Sequence, residues 1–442
     1  MIKQKAEKKS FDKMFFITAI FLWVIGNALV YSAVATQTSG PLVGIFKNQV
    51  IWTAMGIFIV FVMISVPTHW YYKITPVIYV ATIILLIIVL VKGVSVKGAG
   101  RWLLIGGLKI QPSEFAKIGL LLVLARYFTK NEISLQNPIS LVVPALLILV
   151  PFGLVVKQPD LSTTLALVSM SLPIFYWAGM TLIEIFYLVS PVLSTIFAIL
   201  PLIVIFVQRG IPNSDLEVLA DNVQNSYFGI ICAIPWAIFF VLLCFVLYRF
   251  RLNKFLTIIV VSVNLFFASL ATLIWENTLD QYQKVRVISF IKPQLDPKGS
   301  GYQVIQSVIA IGSGRILGKG YLEGTQVNLA YLPEQHTDFI FSVLGEQFGF
   351  IGCFFIILLF FLFVARALYS TRFVNDRFFN IIIVGAVSLL VYHIFVNIAM
   401  VIGLMPVTGL PLPFLSYGGS FTITVSILVG LILSANANNR NL

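Results

Sequence analysis

DPKGSGYQ (residues 296–303) and LPEQHTDFIF (residues 332–341) belong to a mixed polar and apolar stretch, residues 275–349, in an otherwise apolar chain. Such a segment is either a long solvated connector or a reaction site framed by membrane helices, and the sequence on either side of it decides which. Seven of the chain's 17 carboxylates fall in this stretch: Glu276, Asp280, Asp296, Glu323, Glu334, Asp338 and Glu346.

The composition indicates a protein that crosses a membrane many times. Of its 442 residues, 59% are hydrophobic and 10% are charged, whereas soluble proteins average roughly 25% charged residues. The three cysteines lie in apolar runs, without the spacing of a disulfide framework or a metal site. The net charge of +12 comes largely from basic residues in loops and beside apolar segments, as orientation signals do. This pattern argues against nucleic-acid binding.

Apolar segments of bilayer length predict an all-α polytopic fold. A helix needs about 20 apolar residues to cross the membrane. By that length we expect about twelve spans, near residues 15–35, 46–66, 74–92, 114–128, 139–157, 162–180, 183–206, 227–248, 255–275, 340–366, 378–401 and 418–435.

The distribution of lysine and arginine predicts the orientation of these spans. The lysine-rich residues 1–14 precede the first span without a convincing signal-peptide cleavage site, so we expect a cytoplasmic N-terminus. The basic turns near Arg126, Arg249 and Arg372, and Arg440 at the C-terminus, then fall on the cytoplasmic face, as the positive-inside rule requires. The chemistry is expected outside the cytoplasm, in three polar connectors: residues 92–113, 275–349 and 403–419.

The first connector contains charges at the start of a predicted span. Ser113 is expected to cap that helix, and Glu114 and Lys117 are spaced i,i+3, so they can pair on one face. The pair is either an interfacial ion pair or a charged site retained at membrane depth for function. Arg101, beside Trp102, is either an interfacial anchor or a side chain that grips a phosphate.

The last connector, residues 403–420, contains three prolines and four glycines, which exclude an ordinary helix. Non-helical backbone at membrane depth is tolerated where it is buried in protein or lines a cavity. Ser416 and the pair Gly418–Gly419 could therefore offer amide donors to an anion. On the preceding helix, His393 and Asn397 are spaced i,i+4 and are predicted to make interhelical hydrogen bonds.

Elimination among the outer carboxylates singles out Asp296. Glu346 lies about two turns into a predicted helix, and Asp338 follows Thr337 at the expected cap, so both have structural explanations. Asp296 is followed by Pro297, which restrains its backbone to extended conformations, and glycines three and five residues later allow close approach. An exposed carboxylate on such a turn suits a general base or a metal ligand, and a plain Asp-Pro turn is the alternative.

Motifs spread over nearly the whole chain resemble the RodA branch of the shape, elongation, division and sporulation (SEDS) family, also described as the FtsW/RodA/SpoVE family. The GTQ element favours the RodA branch over the FtsW branch. The segments that carry the resemblance are RWL (101–103), QPSE (111–114), QPDLST (158–163), YQKVRV (282–287), DPKGSGYQVIQS (296–307), IAIGSG (309–314), GKG (318–320), GTQ (324–326), LPEQHTDFIF (332–341) and the loop 406–420.

The resemblance implies a peptidoglycan glycosyltransferase that polymerises lipid II on the outer face of the cytoplasmic membrane, for cell elongation and rod shape. It implies a class B penicillin-binding protein as transpeptidase partner, and a divalent cation, Mg²⁺ or Mn²⁺, is expected. The family's essential aspartate falls on Asp296, and its membrane-embedded charged pair falls on Glu114 and Lys117. Further substrate-binding or supporting residues are expected at Arg101, Asp160, Tyr302, Gln306, Glu334, His336, Asp338 and Ser416.

One departure from the family pattern is the number of spans. The family has about ten, whereas bilayer length predicts about two more in this chain. We therefore expect a single membrane domain, residues 15–442, with an inserted helical hairpin at about 183–250 and the catalytic extracytoplasmic loop at about 276–339. The competing functions are a flippase or transporter of lipid-linked precursors, which would show repeated halves with charges at the midplane, and a non-catalytic scaffold for a penicillin-binding protein.

Overall fold

The computed structural model describes residues 12–35, 44–96, 99–106, 108–131, 139–158, 160–209, 226–249, 254–277, 299–329 and 331–439. Asp296 and the acidic group Asp215, Glu217 and Asp221 lie outside these ranges.

A helix occupies each of the twelve segments that bilayer length predicts. They are α1 (Lys13–Val34), α2 (Ile45–Ser65), α3 (Thr68–Lys92), α4 (Pro112–Lys130), α5 (Ile139–Val156), α6 (Leu161–Trp177), α7 (Leu182–Arg209), α8 (Ser226–Arg249), α9 (Lys254–Asn277), α12 (Ile340–Ser370), α13 (Arg377–Val401) and α14 (Gly419–Asn439). Two shorter helices, α10 (Ser300–Gly314) and α11 (Thr325–Asn328), precede α12.

Seven helices of the described ranges are long and apolar enough to cross a membrane: α1, α2, α3, α7, α12, α13 and α14. Shorter apolar helices lie within α5, α8 and α9. Helix α4 carries four charged residues and α6 has only 17 residues, so neither meets the same criterion. The prediction of a helical polytopic membrane protein is confirmed.

Within this helical fold, residues 94–110 form a small sheet that was not predicted from the sequence. Strands β1 (Val94–Val96), β2 (Ala99–Ile105) and β3 (Leu108–Ile110) form an antiparallel sheet in the order β1-β2-β3. Leu103 pairs with Ile110 and Ile105 with Leu108. Between β2 and β3, Gly106 has a φ of 58°, a conformation that two-residue hairpin turns require and glycine supplies. In the sequence, short apolar runs flank the pair Gly106–Gly107, and this pattern is a hairpin signal. The prediction of spans from their length did not use it.

The chain forms two compact units, and the first comprises residues 1–180 and 303–442. Within it, α2 packs on α14, α3 on α4, α6 on α13 and α1 on α12. Helices α13 and α14 are its most enclosed spans, with 67% and 83% of their apolar windows buried.

Helix α12 bends sharply at Gly349, which has a φ of 62° and a ψ of −161°. The turn after α10 packs into this bend, because the amides of Phe350 and Ile351 donate to the carbonyls of Arg315 and Ile316. A Cβ at Gly349 would lie 2.4 Å from the amide nitrogen of Gly318. Only glycine combines this conformation with this close approach.

The second unit, residues 181–302, contains α7, α8 and α9. Helix α7 packs on α8 and on α9. The buried Asn264 donates from Nδ2 to Ser190 Oγ at 2.9 Å, and Trp236 Nε1 donates to Ser194 Oγ at 3.3 Å. Polar side chains of this kind hold helices together where lipid supplies no hydrophobic driving force.

Candidate active site

The first unit contains a cavity of about 190 Å³. It lies where β2, the first turns of α4, α6 and α14, the end of the loop before α12, and the loop between α13 and α14 meet. Its lining residues are Arg101, Trp102, Gln111, Glu114, Asp160, Ser162, Thr163, Thr337, Asp338, Gly409, Leu410, Pro411, Tyr417, Gly418, Gly419, Ser420 and Phe421.

Arg101 and Asp160 form one wall of the cavity. Arg101 Nη1 lies 3.6 Å from Asp160 Oδ1, and its Nε donates to the carbonyl of Gln158 at 3.1 Å. The Arg101 side chain is 30% exposed, whereas that of Asp160 is 4% exposed. Arg101 is therefore held against the protein by its inner partners while its side chain stays partly exposed.

Asp160 also begins helix α6. Its Oδ1 accepts from the amide of Thr163 at 3.2 Å, and its Oδ2 accepts from the Thr163 hydroxyl at 3.0 Å and from Gln111 Nε2 at 3.3 Å. A side chain that caps a helix fixes the start of that helix. The geometry of this wall therefore depends on the carboxylate of Asp160.

We expect Asp160→Ala to lower the free energy of unfolding by about 1–2 kcal/mol, because it removes the helix cap. Asp160→Asn retains an oxygen that can accept from Thr163, so its loss is expected to be smaller. Thermal denaturation of the two purified variants in detergent measures the difference. Equal melting temperatures for alanine and asparagine would contradict the capping role.

Glu114 and Lys117 form a buried ion pair beside the cavity. Lys117 Nζ lies 2.8 Å from Glu114 Oε1, with side-chain exposures of 0% and 5%. The ammonium also lies 3.1 Å from Nε2 of His393, whose Nδ1 is 3.3 Å from the carbonyl oxygen of Pro411. Glu114 Oε2 is buried and has no hydrogen-bond partner among the described residues.

Ser113, which was expected to cap α4, does not do so. Gln111 occupies the cap position without a side-chain cap, and Pro112 begins the helix. Proline favours the first helical position because its missing N–H would have no partner there. Gln111 instead links elements, since its amide nitrogen donates to Ser420 Oγ at 3.0 Å and its side chain donates to Asp160.

The loop between α13 and α14 contributes part of the cavity lining. Ser416 does not line the cavity: its hydroxyl accepts from the amide of Leu412 at 2.7 Å and its own amide donates to the Leu412 carbonyl at 3.0 Å. Gly418 and Gly419 do line it, and α14 begins at Gly419. Ser416 thus shapes the turn, and the start of α14 faces the cavity.

Asp338 lines the cavity and does not cap α12. The cap residue is Phe339, without a side-chain cap. Asn397 donates to the carbonyls of Asp338 and Leu410 at 2.8 and 2.7 Å. Both acceptors lie in loops, so the prediction that Asn397 bonds to another helix is wrong. The structure thus places Asp338 at the cavity, where the resemblance predicted a supporting residue, although its position before a helix had also suggested a cap.

The structure brings four of the predicted residues together around the cavity: Arg101, Glu114, Asp160 and Asp338. Lys117 lies behind Glu114. The remaining predicted residues in the described ranges, Tyr302, Gln306, Glu334, His336 and Ser416, are not among the lining residues.

Two residues that the sequence did not single out as site residues connect this group. Gln111 was recognisable only as part of the QPSE segment. His393 was expected to bond between helices, but nothing in the sequence indicated Lys117 as its partner, 276 positions away.

Among the described residues, no group of three or more His, Cys, Asp or Glu side chains is placed to hold a metal ion. The expected divalent cation stays a prediction, because its possible ligand Asp296 lies outside those ranges.

Comparisons with known proteins cover nearly the whole chain. The model of the FTSW_RODA_SPOVE family, described as cell cycle protein, matches residues 12–230 and 229–441. The peptidoglycan glycosyltransferase RodA of Treponema pallidum is 35% identical, covering 97% of this chain and 98% of the relative. The peptidoglycan glycosyltransferase MrdB of Escherichia coli K12 is 32% identical, covering 98% and 97%.

Two solved structures share the fold. A chain from a study of how a peptidoglycan synthase complex coordinates polymerization and crosslinking superposes with a TM-score of 0.65 at 26% identity, covering 97% of this chain and 98% of that one. The rod shape determining protein RodA of Thermus thermophilus superposes with a TM-score of 0.58 at 21% identity, covering 97% of each chain.

Proposed function

The chain belongs to the FtsW/RodA/SpoVE family of cell cycle proteins, and on that premise we propose that it is a peptidoglycan glycosyltransferase that polymerises lipid II into glycan strands for cell elongation and rod shape. The observation that carries the proposal is the cavity lined by Arg101, Glu114, Asp160 and Asp338. A lipid-linked sugar diphosphate presents anionic oxygens and sugar hydroxyls. The Arg101 guanidinium can bind the anionic oxygens, and the carboxylates can accept hydrogen bonds from the hydroxyls.

The reaction would be a single inverting displacement at the sugar carbon that bears the polyprenyl diphosphate. The 4-hydroxyl oxygen of the acceptor sugar forms the new bond to that carbon, and the bond from the carbon to the diphosphate oxygen breaks. Asp296 takes the hydroxyl proton as general base. Arg101 stabilises charge on the departing diphosphate, because a guanidinium binds phosphate oxygens in a fixed fork geometry.

A divalent cation, Mg²⁺ or Mn²⁺, is part of the proposal as an alternative role for Asp296. Bound there, it would neutralise charge on the leaving diphosphate. Chelator sensitivity of polymerisation tests this role separately from that of a general base.

The protein would lie in the cytoplasmic membrane with both termini in the cytoplasm and the cavity on the outer side. Supporting this orientation, Asp12 at the start of α1 pairs with Arg366 near the C-terminal end of α12, at 2.8 Å. Arg126 and Lys130 lie at the end of α4 that is remote from Glu114. Basic residues gather at the cytoplasmic ends of spans.

The transpeptidase partner would be a class B penicillin-binding protein. The solved relative from a peptidoglycan synthase complex that couples polymerization to crosslinking supports a partner of this kind.

We expect Asp296→Asn to abolish glycan-strand formation while leaving folding and partner binding intact, because asparagine accepts no proton. The assay is lipid II polymerisation by the purified protein with its penicillin-binding protein, whose transpeptidase activity is blocked, with and without chelator. Glu323→Gln, which changes an exposed carboxylate of the connector that leads to α12, is the matched control and is expected to retain activity.

Full activity of Asp296→Asn would rule out Asp296 as base or metal ligand. Strands from neither protein, with the complex intact, would favour a scaffold or a flippase of lipid-linked precursors. Transport of a labelled precursor across vesicles without polymer would single out the flippase.

A further inference from the structure

His393 is buried between two walls of the cavity without lining it. The side chain is 1% exposed and lies on α13, with its ring 4.8 Å from that of Phe421. Its two ring nitrogens contact Lys117 and Pro411, which belong to different elements. Through Lys117 it reaches Glu114 on α4, and through Pro411 it reaches the loop before α14.

The partners of His393 fix its protonation state. The Lys117 ammonium can only donate, so Nε2 at 3.1 Å must accept. The carbonyl of Pro411 can only accept, so Nδ1 at 3.3 Å must donate. The contact to Pro411 places a proton on Nδ1 and the contact to Lys117 excludes one from Nε2, so together they require the neutral imidazole protonated at Nδ1.

His393 also determines how Lys117 binds Glu114. The ammonium has three N–H donors; Glu114 Oε1 and His393 Nε2 accept two of them, and the ammonium lies 5.7 Å from the ring of Phe421. This arrangement leaves Glu114 Oε2 without a partner among the described residues. Without His393, the released donor could rotate toward this second oxygen of the same carboxylate.

We propose that His393 is a positioning residue that, as the neutral Nδ1–H imidazole, ties Lys117 to Pro411 and keeps Glu114 Oε2 available to accept a hydrogen bond from an O–H or N–H of the lipid-linked sugar. The substrate part of this inference rests on the proposed function. The tautomer of His393 and its contacts with both α4 and the loop do not rest on the proposed function.

The tautomer is tested by NMR of the protein labelled with ¹⁵N-histidine. The chain has three histidines, and the spectrum of His393→Gln identifies the signals of His393 by their disappearance. We expect a neutral ring protonated at Nδ1. A ring protonated at Nε2, or at both nitrogens, would overturn the proposal.

The positioning role is tested by the affinity for lipid II, measured as direct binding in detergent. His393→Leu removes both hydrogen bonds, and we expect binding to weaken about tenfold, because the released Lys117 donor can then compete with the substrate for Glu114 Oε2. His393→Gln can accept from Lys117 and donate to Pro411, so we expect it to bind within about threefold of wild type. Ser388→Ala is the control on the same helix, since Ser388 donates only to the carbonyl of Val384 one turn earlier.

Unchanged affinity in His393→Leu, or equal loss in leucine and glutamine variants, would overturn the positioning role. Because binding and NMR do not depend on turnover, a wild-type protein that binds lipid II but forms no polymer would overturn the proposed function while leaving this inference standing.

Discussion

Lys117→Leu is expected to lower the free energy of unfolding by about 3–5 kcal/mol, because it leaves a buried carboxylate without its counter-charge. Lys117 is fully buried, and the Glu114 side chain is 5% exposed. The variant therefore leaves the carboxylate largely shielded from bulk water and without the ammonium that lies 2.8 Å away in the wild type. Denaturation of the purified protein in mixed micelles measures the loss.

The double variant Glu114→Leu/Lys117→Leu separates the cost of an isolated charge from the cost of altered packing. Replacing both members of a buried pair by apolar residues is often neutral, so we expect the double variant to recover most of the stability lost in the single one. Lys130→Leu, at an exposed position of the same helix, is expected to change stability by less than about 0.5 kcal/mol. A double variant as unstable as Lys117→Leu alone would contradict this account.

The helices could be predicted because the bilayer imposes their length. A segment that must satisfy all its backbone groups in lipid forms a helix whatever its neighbours are, so composition alone located each of the twelve. The length that the bilayer imposes on a spanning helix does not apply to residues 94–110. Their hairpin depends on a turn at Gly106 and on pairing between Leu103 and Ile110, which are local signals of a few residues.

The cavity could be predicted only in part. Arg101, Glu114 and Asp160 were expected because they belong to recognisable segments, and the structure places them at one cavity. Asp338 was expected from its segment as well, although its position before a helix also suggested a cap; the N-cap is instead Phe339, and Asp338 lines the cavity.

The connection through His393 could not be predicted, because sequence spacing is informative only within an element. The pair Glu114 and Lys117 is visible as an i,i+3 spacing. The contact from Lys117 to His393 forms because α4 packs against α13, and that packing is decided by the whole apolar surface of both helices. Nothing near either residue in the sequence specifies it.

Glu346→Gln is expected to destabilise the segment before α12 by about 3 kcal/mol, since it breaks a buried ion pair and leaves a buried donor facing another donor. The Glu346 side chain is 0% exposed, and its Oε1 lies 2.7 Å from Lys319 Nζ. Oε1 also accepts from the amide of Gln326 at 3.0 Å, and Oε2 accepts from the amide of Val327 at 3.1 Å. In the variant, the amide group that replaces Oε2 meets the Val327 N–H.

Hydrogen exchange shows which backbone amides lose protection in Glu346→Gln and by how much. We expect the amides of Gln326 and Val327 to exchange faster in Glu346→Gln, because they lose their carboxylate acceptor, while amides of α13 remain protected. Glu323→Gln is the matched control, since it changes an exposed carboxylate of the same segment. Equal protection of Gln326 and Val327 in wild type and Glu346→Gln would show that α11 is held by its other contacts. Faster exchange would instead show that Glu346 anchors α11 to α12. Helix α12 begins directly after Phe339, and the residue before Phe339 is Asp338, which lines the cavity.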